Sequence, residues 1–179
     1  MIHRTPTGDR LDGIAPDIEE NMDGTDVGAF AQILRAQLGA DRLIVGVIYP
    51  AGSWIGQQHP IAGILSHSVN VLAPMDYWHD QQGSVSQATV ADYVRQSVVD
   101  IKDATGNPNF PVAVIGQTYD NFGRDGIGPN NPSSAEINAA LRAAQDAGAI
   151  GISFFQWGTA TPSEWTAIGA FRWVLTPHP

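Results

Sequence analysis

Acidic residues stand directly after short apolar runs in this chain. Asp17 and Glu19 lie two residues apart at the end of the first run, a spacing that puts both side chains on one face of a strand. Two carboxylates held side by side repel each other, which raises the pKa of one and suits it to donate a proton near neutral pH. The pattern therefore predicts general acid chemistry, with Glu19, Asp17 and the later Asp76 as candidate catalytic residues.

Aromatic and amide side chains follow the other apolar runs. Aromatic rings offer flat apolar area with a polar group at the edge, which suits the faces of sugars. The candidate substrate-binding residues are Tyr49, Tyr77, Trp78, Gln117, Tyr119, Gln156 and Trp157. Structural roles stay open beside these, because Asp at a strand end often closes an Asx turn and Trp often serves in packing.

Short β-branched runs alternate with longer segments of helical period, a pattern typical of parallel strands joined by crossover helices. Strands are predicted over residues 11–19, 43–48, 69–75, 110–116 and 149–155. A helix from Asp26 is predicted to share one apolar face among Val27, Phe30, Ile33, Leu34 and Leu38. Residues 51–68 are predicted to be a loop with a short irregular helix, and residues 119–132 a long loop.

Three later helices carry start signals in the sequence. Ser86 is predicted to cap a helix that ends at Gly106. Ser133 and Glu136 have the spacing of a capping box, and so does the segment that opens at Thr161. These signals predict where each helix begins, independently of the fold.

Five strand-helix units fit the last five of a (β/α)8 TIM barrel, since such barrels run to about 250 residues. The sequence thus predicts one α/β domain over residues 1–179, with barrel strands 4 to 8 and their helices present and the first three units missing. Both edges of such a sheet would need cover from a preceding segment or a partner chain. An open doubly wound sheet is the alternative fold.

Three segments carry motifs of a known family. Residues 12–19 read Asp-Gly-Ile-Ala-Pro-Asp-Ile-Glu, residues 73–77 read Ala-Pro-Met-Asp-Tyr, and residues 154–157 read Phe-Phe-Gln-Trp. The first resembles the fourth-strand signature Asp-Gly-x-Asp-x-Asp-x-Glu of the family eighteen glycoside hydrolases, the chitinase group, with Ala15 in place of one Asp. The second is similar to the sixth-strand Met-x-Tyr-Asp of that clan, and the third to the eighth-strand aromatic below the sugar.

This resemblance implies a hydrolase that acts on a polysaccharide of chitin or peptidoglycan type. It implies that Glu19 is the general acid, that Asp17 orients the acetamido group of the substrate, and that Asp76 binds substrate. The acetamido group would attack while Glu19 protonates the leaving oxygen; the ordinary scheme would instead pair Glu19 with a carboxylate such as Asp76. Phe155 and Trp157 both stay open as the aromatic below the sugar. The departure at Ala15 leaves two alternatives, a non-catalytic carbohydrate-binding or structural barrel and an inactive fragment.

The composition of the chain excludes some classes of binding partner. The net charge of -9 argues against nucleic acid, which is bound through clustered basic side chains. No apolar run reaches the ~20 residues of a membrane helix. The first residues lack an apolar signal segment, so the location is left open, and an extracellular one requires a signal peptide on a further segment ahead of Met1.

Cofactors and metals are not expected. The chain has no cysteine, and His59, His67 and His79 lack the spacing of metal ligands. No glycine-rich loop of phosphate-binding type follows a strand. His79 is predicted to be an exposed loop residue.

Overall fold

Parallel strands and helices alternate through residues 11–20, 22–79, 85–120 and 130–174, which are the residues that the computed structural model describes. The strands are β1 (Gly13–Ile14), β2 (Leu43–Ile48), β3 (Val71–Pro74), β4 (Ala113–Gln117) and β5 (Gly151–Phe155). The helices are α1 (Gly24–Leu38), α2 (Trp54–Gln58), α3 (Ala62–Leu65), α4 (Gln87–Thr105), α5 (Ser134–Asp146) and α6 (Pro162–Ala170), and a 3-10 turn covers Trp157–Thr159. Each predicted strand has a counterpart here, which has the same bounds for residues 43–48 and is shorter for the other four. Of the long loop predicted over residues 119–132, residues 121–129 lie outside the described part.

The strands lie side by side in chain order. β1, β2 and β3 form one parallel sheet, and β4 and β5 form another. Parallel bridges from Leu72 to Val112 and from Met75 to Ile115 join β3 to β4. In a doubly wound sheet the strand order reverses at one point. The described strands show no such reversal. The predicted α/β class with parallel strands is confirmed, whereas the sheets are small and open, and closure into a barrel stays a prediction.

Local sequence signals place the helix ends. The Ser86 hydroxyl accepts a hydrogen bond from the Thr89 backbone N–H, and Gly106 ends α4 in the left-handed conformation at φ 64°. Ser133 and Glu136 form the predicted capping box at the start of α5. Thr161 and Glu164 form a second one at α6. The predicted starts of these three helices are confirmed.

The two faces of the sheet carry separate apolar clusters. On one face, strand residues such as Ile44, Leu72 and Val114 pack against the helices. The other, which we call the inner face, carries Val45, Val47, Ala73, Met75, Tyr49, Tyr77 and Ile115. This separation follows from the alternation of side chains along a strand. Consecutive side chains at the strand ends therefore alternate between the helix-covered face and the inner face.

The first strand is much shorter than the predicted residues 11–19. After β1, the chain pairs with β2 again at a bridge from Asp17 to Val47. The Ile18 N–H donates to the Val47 carbonyl, and the Val47 N–H donates to the Pro16 carbonyl. Pro16 has no N–H of its own to continue a ladder, which explains why the strand is interrupted there. The segment still brings Asp17 and Glu19 beside β2.

Large apolar side chains remain exposed at both ends of the fold. Phe30 and Ile33 of α1 are exposed, although the sequence predicted them on the core-facing stripe, because the stripe that packs runs through Val27 and Ala31 instead. Ile150 and Phe155 are exposed near β5. None of the helices in the described residues is long and apolar enough to pass through a membrane.

Candidate functional site

An acidic cleft lies at the end of the first strand segment. It measures about 540 Å³ and is lined by Asp17, Ile18, Glu19, Glu20, Asp26, Val27 and Phe30. Asp17 and Glu19 both line it, so the structure brings the two predicted acids together. Ile18, between them, also lines the cleft and belongs to the buried core. That the two acids share one face of a strand stays a prediction.

Glu19 is set up to hold its proton more firmly than a free glutamic acid. Partial burial raises the pKa of Glu19, and the nearby charges of Asp17 and Glu20 raise it further, while a hydrogen bond from Tyr49 lowers it. Burial also raises the pKa of Asp17. A carboxyl group with a raised pKa at a strand end is suited to donate a proton.

Tyr49 connects the acidic cleft to a second cavity, which we call the aromatic pocket. This pocket measures about 280 Å³ and lies between the segment after β2, the end of β3 and the start of α4. Its lining residues are Tyr49, Pro50, Ser53, Trp54, Ile55, Met75, Tyr77, Trp78, Val85, Thr89 and Tyr93. The Tyr49 side chain thus hydrogen-bonds to Glu19 and also lines this pocket.

Three aromatic rings from successive strand ends cluster beside this pocket. Tyr77, Tyr119 and Phe155 have ring centroids 5.6 to 6.2 Å apart, in edge-on and tilted arrangements. Phe155 stays half exposed at 49%. Trp157 instead packs on Trp165 of α6 at 4.5 Å, and its ring is 79% exposed. The structure thus brings Phe155, rather than Trp157, together with Tyr77.

Asp76 lies on the opposite face of its strand from Tyr77. Its side chain is fully buried, and Oδ1 accepts a hydrogen bond of 2.7 Å from the Ser97 hydroxyl of α4. Oδ2 has no hydrogen-bond partner within the described residues. Burial raises the pKa of Asp76 well above 3.8, although the Ser97 bond lowers it. The structure therefore does not bring Asp76 together with Glu19, because the two-residue alternation turns it toward α4.

Replacing Asp76 with Asn should stabilise the protein at alkaline pH. A carboxyl whose folded-state pKa is raised contributes stability that is fully present below its ordinary pKa of 3.8 and is lost as pH rises through the folded-state pKa. The amide keeps the size and the Ser97 contact but cannot ionise. We expect Asp76→Asn to gain about 1–3 kcal/mol in unfolding free energy near pH 8, and less toward pH 4.

Urea unfolding measured across this pH range checks the expectation. Asp103→Asn, on the exposed side of the same helix that packs on Asp76, is the matched control and should show no pH-dependent gain. A loss of stability near pH 8 in Asp76→Asn would contradict the argument.

The remaining predicted site residues mainly form hydrogen bonds between loops or pack in the core. Gln117 is fully buried: its Oε1 accepts from the His79 backbone N–H at 3.0 Å, and its Nε2 donates to the Tyr119 carbonyl at 3.0 Å. The Gln156 carbonyl accepts from the Thr118 hydroxyl at 2.9 Å. Trp78 is buried against the helices, although one part of its ring lines the aromatic pocket.

Three residues near the pockets, Trp54, Tyr93 and His79, were not predicted as site residues. Trp54 and Tyr93 line the aromatic pocket, and no pattern in the sequence marks them. Phe155, which the sequence left open beside Trp157, contacts Tyr77 and Tyr119 next to the aromatic pocket. His79 was predicted to be exposed, and this is wrong: it is 1% exposed, because the start of α5 packs over it.

Metal ligands do not converge in the described ranges. No group of three or more His, Asp or Glu residues there could hold an ion. His59 and His67 lie in the segment between β2 and β3, whereas His79 follows β3.

Comparison with known proteins gives a weak structural likeness to a solved structure. No family model matches the chain, and no curated protein matches its sequence. The glycoside hydrolase domain of PgaB (BpsB) from Bordetella bronchiseptica is a similar structure, with a TM-score of 0.50 and 11% identity. The match covers 74% of this chain and 38% of that one. At this identity the likeness concerns the fold alone, so the chain shares the fold of part of a glycoside hydrolase domain.

Proposed function

We propose that this protein binds a polysaccharide chain and hydrolyses its glycosidic bonds, with Glu19 as the general acid. One observation carries the proposal: the Glu19 carboxyl, with its raised pKa, is bonded by Tyr49, which also lines the aromatic pocket. An acid and a sugar-sized apolar surface are thereby joined through one side chain. The fold shared with part of a glycoside hydrolase domain supports the same class of function.

The proposed chemistry is substrate-assisted. The acetamido group of a sugar of chitin or peptidoglycan type would attack its own anomeric carbon, while Glu19 protonates the leaving oxygen. Asp17 lines the same cleft and would orient the acetamido group. This scheme is favoured over a pair of Glu19 with Asp76, because Asp76 is directed toward Ser97.

The sugar units would lie along the aromatic side chains. Tyr49, Tyr77 and Trp78 line the pocket, and Tyr119 packs edge-on against Tyr77. Their rings provide apolar area for sugar faces. For Gln117, Gln156 and Trp157, the observed contacts favour roles in holding loops and packing α6, and substrate contact stays a prediction.

A non-catalytic carbohydrate-binding protein is the second candidate. Two observations favour it: Ala15 replaces an acid of the catalytic signature, and Asp76 supplies no carboxylate to the cleft. Release of reducing ends from chitin-type and peptidoglycan-type glycans separates the two functions. Cleavage that depends on Glu19 supports the enzyme, whereas sugar binding without cleavage supports the second candidate.

Either function is proposed to depend on cover for the open ends of the sheet. Phe30 and Ile33 are exposed beside the first strand, and Ile150 is exposed beside the last. Exposed apolar surface next to unpaired strand edges favours association with another segment. We therefore expect a further part of a longer chain, or a partner chain, to cover these ends.

Trp54 should provide an outer sugar platform of the aromatic pocket. Its ring is 70% exposed, yet its helix is fixed: the Ser53 hydroxyl caps α2, and Gly56 packs so closely on the Pro50 carbonyl that a Cβ there would clash. We expect Trp54→Ala to weaken binding of an N-acetylglucosamine tetramer about 2- to 13-fold, which corresponds to about 0.5–1.5 kcal/mol of aromatic contact.

Titration calorimetry checks this expectation. Trp173→Ala removes an indole that packs on Phe171 after α6 instead, so it should bind the tetramer like the unmodified protein. Equal losses in the two variants would contradict a platform role for Trp54.

A further inference from the structure

A buried pair of His79 and Glu136 ties the segment after β3 to the start of α5. The His79 Nε2 lies 2.7 Å from Glu136 Oε1, and both side chains are almost fully buried. The other ring nitrogen, Nδ1, lies 2.6 Å from the Asn130 backbone carbonyl. Both nitrogens of one ring thus face oxygen atoms across the segments that follow β3 and β4.

The partners require protons on both ring nitrogens. Burial alone would raise the pKa of Glu136, but hydrogen bonds from His79 and Ser133 outweigh it and lower the pKa from 4.5 to about 2. Glu136 is therefore an anion at neutral pH and can only accept. A backbone carbonyl also only accepts. The two contacts are hydrogen bonds at the same time only when both ring nitrogens carry protons.

This tie holds one wall of the aromatic pocket. Trp78 directly precedes His79, and the Val85 N–H donates to Glu136 Oε1 at 3.5 Å. Both Trp78 and Val85 line the pocket. The His79 backbone N–H is held by Gln117, which also holds the Tyr119 carbonyl. The ring therefore fixes the position of residues that a ligand in the pocket would contact.

The other titratable groups around the ring are acids. Asp120, after β4, accepts from the Asn130 N–H at 3.2 Å. Glu164 of α6 accepts from Asn131, the next residue, at 3.4 Å. Asp76, three residues before His79, faces Ser97 of α4. Among the described residues, these are titratable groups of the neighbouring elements.

We propose that His79, held as an imidazolium between Glu136 and Asn130, is a positioning residue that makes the aromatic pocket sensitive to pH. While both ring nitrogens carry protons, the two segments are tied together and the pocket wall is fixed. When one ring nitrogen loses its proton, its lone pair faces either the Asn130 carbonyl or the Glu136 carboxylate, and that hydrogen bond is lost. The two segments are then no longer held together by the ring. Histidine is the side chain that changes charge between about pH 5 and about pH 8. The choice of a sugar as the ligand in the binding assay rests on the proposed function. The contacts of His79 with Glu136 and Asn130 do not depend on it.

The test compares three variants at about pH 5.5 and about pH 8.5, on either side of the histidine range. For the unmodified protein, we expect the affinity for an N-acetylglucosamine tetramer to fall about tenfold at the higher pH, as for loss of one charge-assisted hydrogen bond. Glu136→Gln should remove this dependence, because the carboxamide N–H can donate to a neutral Nε2. His79→Gln should bind weakly at both pH values, since one amide cannot donate twice in this geometry.

His67→Gln is the matched control, because His67 is exposed and its ring contacts the Gly63 carbonyl in its own segment. It should keep the pH dependence of the unmodified protein. Equal pH dependence in Glu136→Gln and the unmodified protein would overturn the proposal.

A measurement without ligand separates this proposal from the proposed function. Nitrogen-15 NMR of the His79 ring should show two protonated nitrogens at about pH 5.5 and one at about pH 8.5 in the unmodified protein. A ring that is neutral at the lower pH, or that keeps one protonation state throughout, overturns the proposal. Failure of the tetramer to bind while the ring behaves as expected counts against the sugar ligand instead.

Discussion

Replacing Glu19 with glutamine is expected to lower the rate of glycan cleavage by about 10²- to 10⁴-fold, the contribution of a positioned general acid. The amide keeps the shape of the side chain but has no proton to give to the leaving oxygen. Because the pKa of Glu19 is raised, its acid form persists to higher pH than that of a free glutamic acid. Activity of the unmodified protein should therefore decline only as pH rises through this raised pKa.

Release of reducing ends, followed across pH, checks the first prediction. Glu20→Gln is the matched control and should keep most of the activity, with the decline moved to lower pH because the charge of Glu20 helps to raise the pKa of Glu19. Binding of the tetramer should survive in Glu19→Gln. Equal cleavage by Glu19→Gln and the unmodified protein would refute the catalytic role.

Replacing Glu136 with alanine is expected to destabilise the fold by about 3–5 kcal/mol near pH 6, the cost of removing one partner of a buried ion pair. Oε1 of Glu136 contacts the His79 ring, and Oε2 accepts from the Ser133 N–H and hydroxyl, both at 2.7 Å. The substitution removes the ion pair and the capping box together. It leaves the buried Nε2 of His79 without its carboxylate partner.

The pH dependence of this loss gives a second check. The folded-state pKa of Glu136 is lowered to about 2, so its contribution is present above its ordinary value of 4.5 and is lost as pH falls toward about 2. The destabilisation measured by urea unfolding should shrink over that range. Asp146→Ala, at the exposed end of the same helix, should change stability by no more than about 0.5 kcal/mol. A small or pH-independent loss in Glu136→Ala would count against the ion pair.

Elements whose signals are local were predicted well. The helix starts at Ser86, Ser133 and Thr161 are set by a side chain that caps its own first turn, so a few consecutive residues contain all the information. The parallel α/β class likewise follows from the alternation of apolar runs with helical segments. The first strand was overestimated, because Pro16 removes a ladder donor within it.

Parts of the candidate site depend on packing that no local pattern records. The resemblance placed Asp76 at a sugar site, but the alternation along β3 turns it toward Ser97 of α4. Phe155 and Trp157 both stayed open in the sequence, and the packing of Trp157 on Trp165 leaves Phe155 with Tyr77. Residues near in sequence thus reach different surroundings.

By itself, the sequence determined that short parallel strands alternate with capped helices and that two acids stand at the end of the first strand segment, because both follow from residue spacing along one segment. Only the tertiary structure decided that Tyr49 joins Glu19 to an aromatic pocket and that His79 is buried against Glu136. Glu136 lies 57 residues beyond His79 in the chain. Contacts of that kind arise when separate strand-helix units pack together. They therefore cannot be predicted from the residue pattern within any one unit.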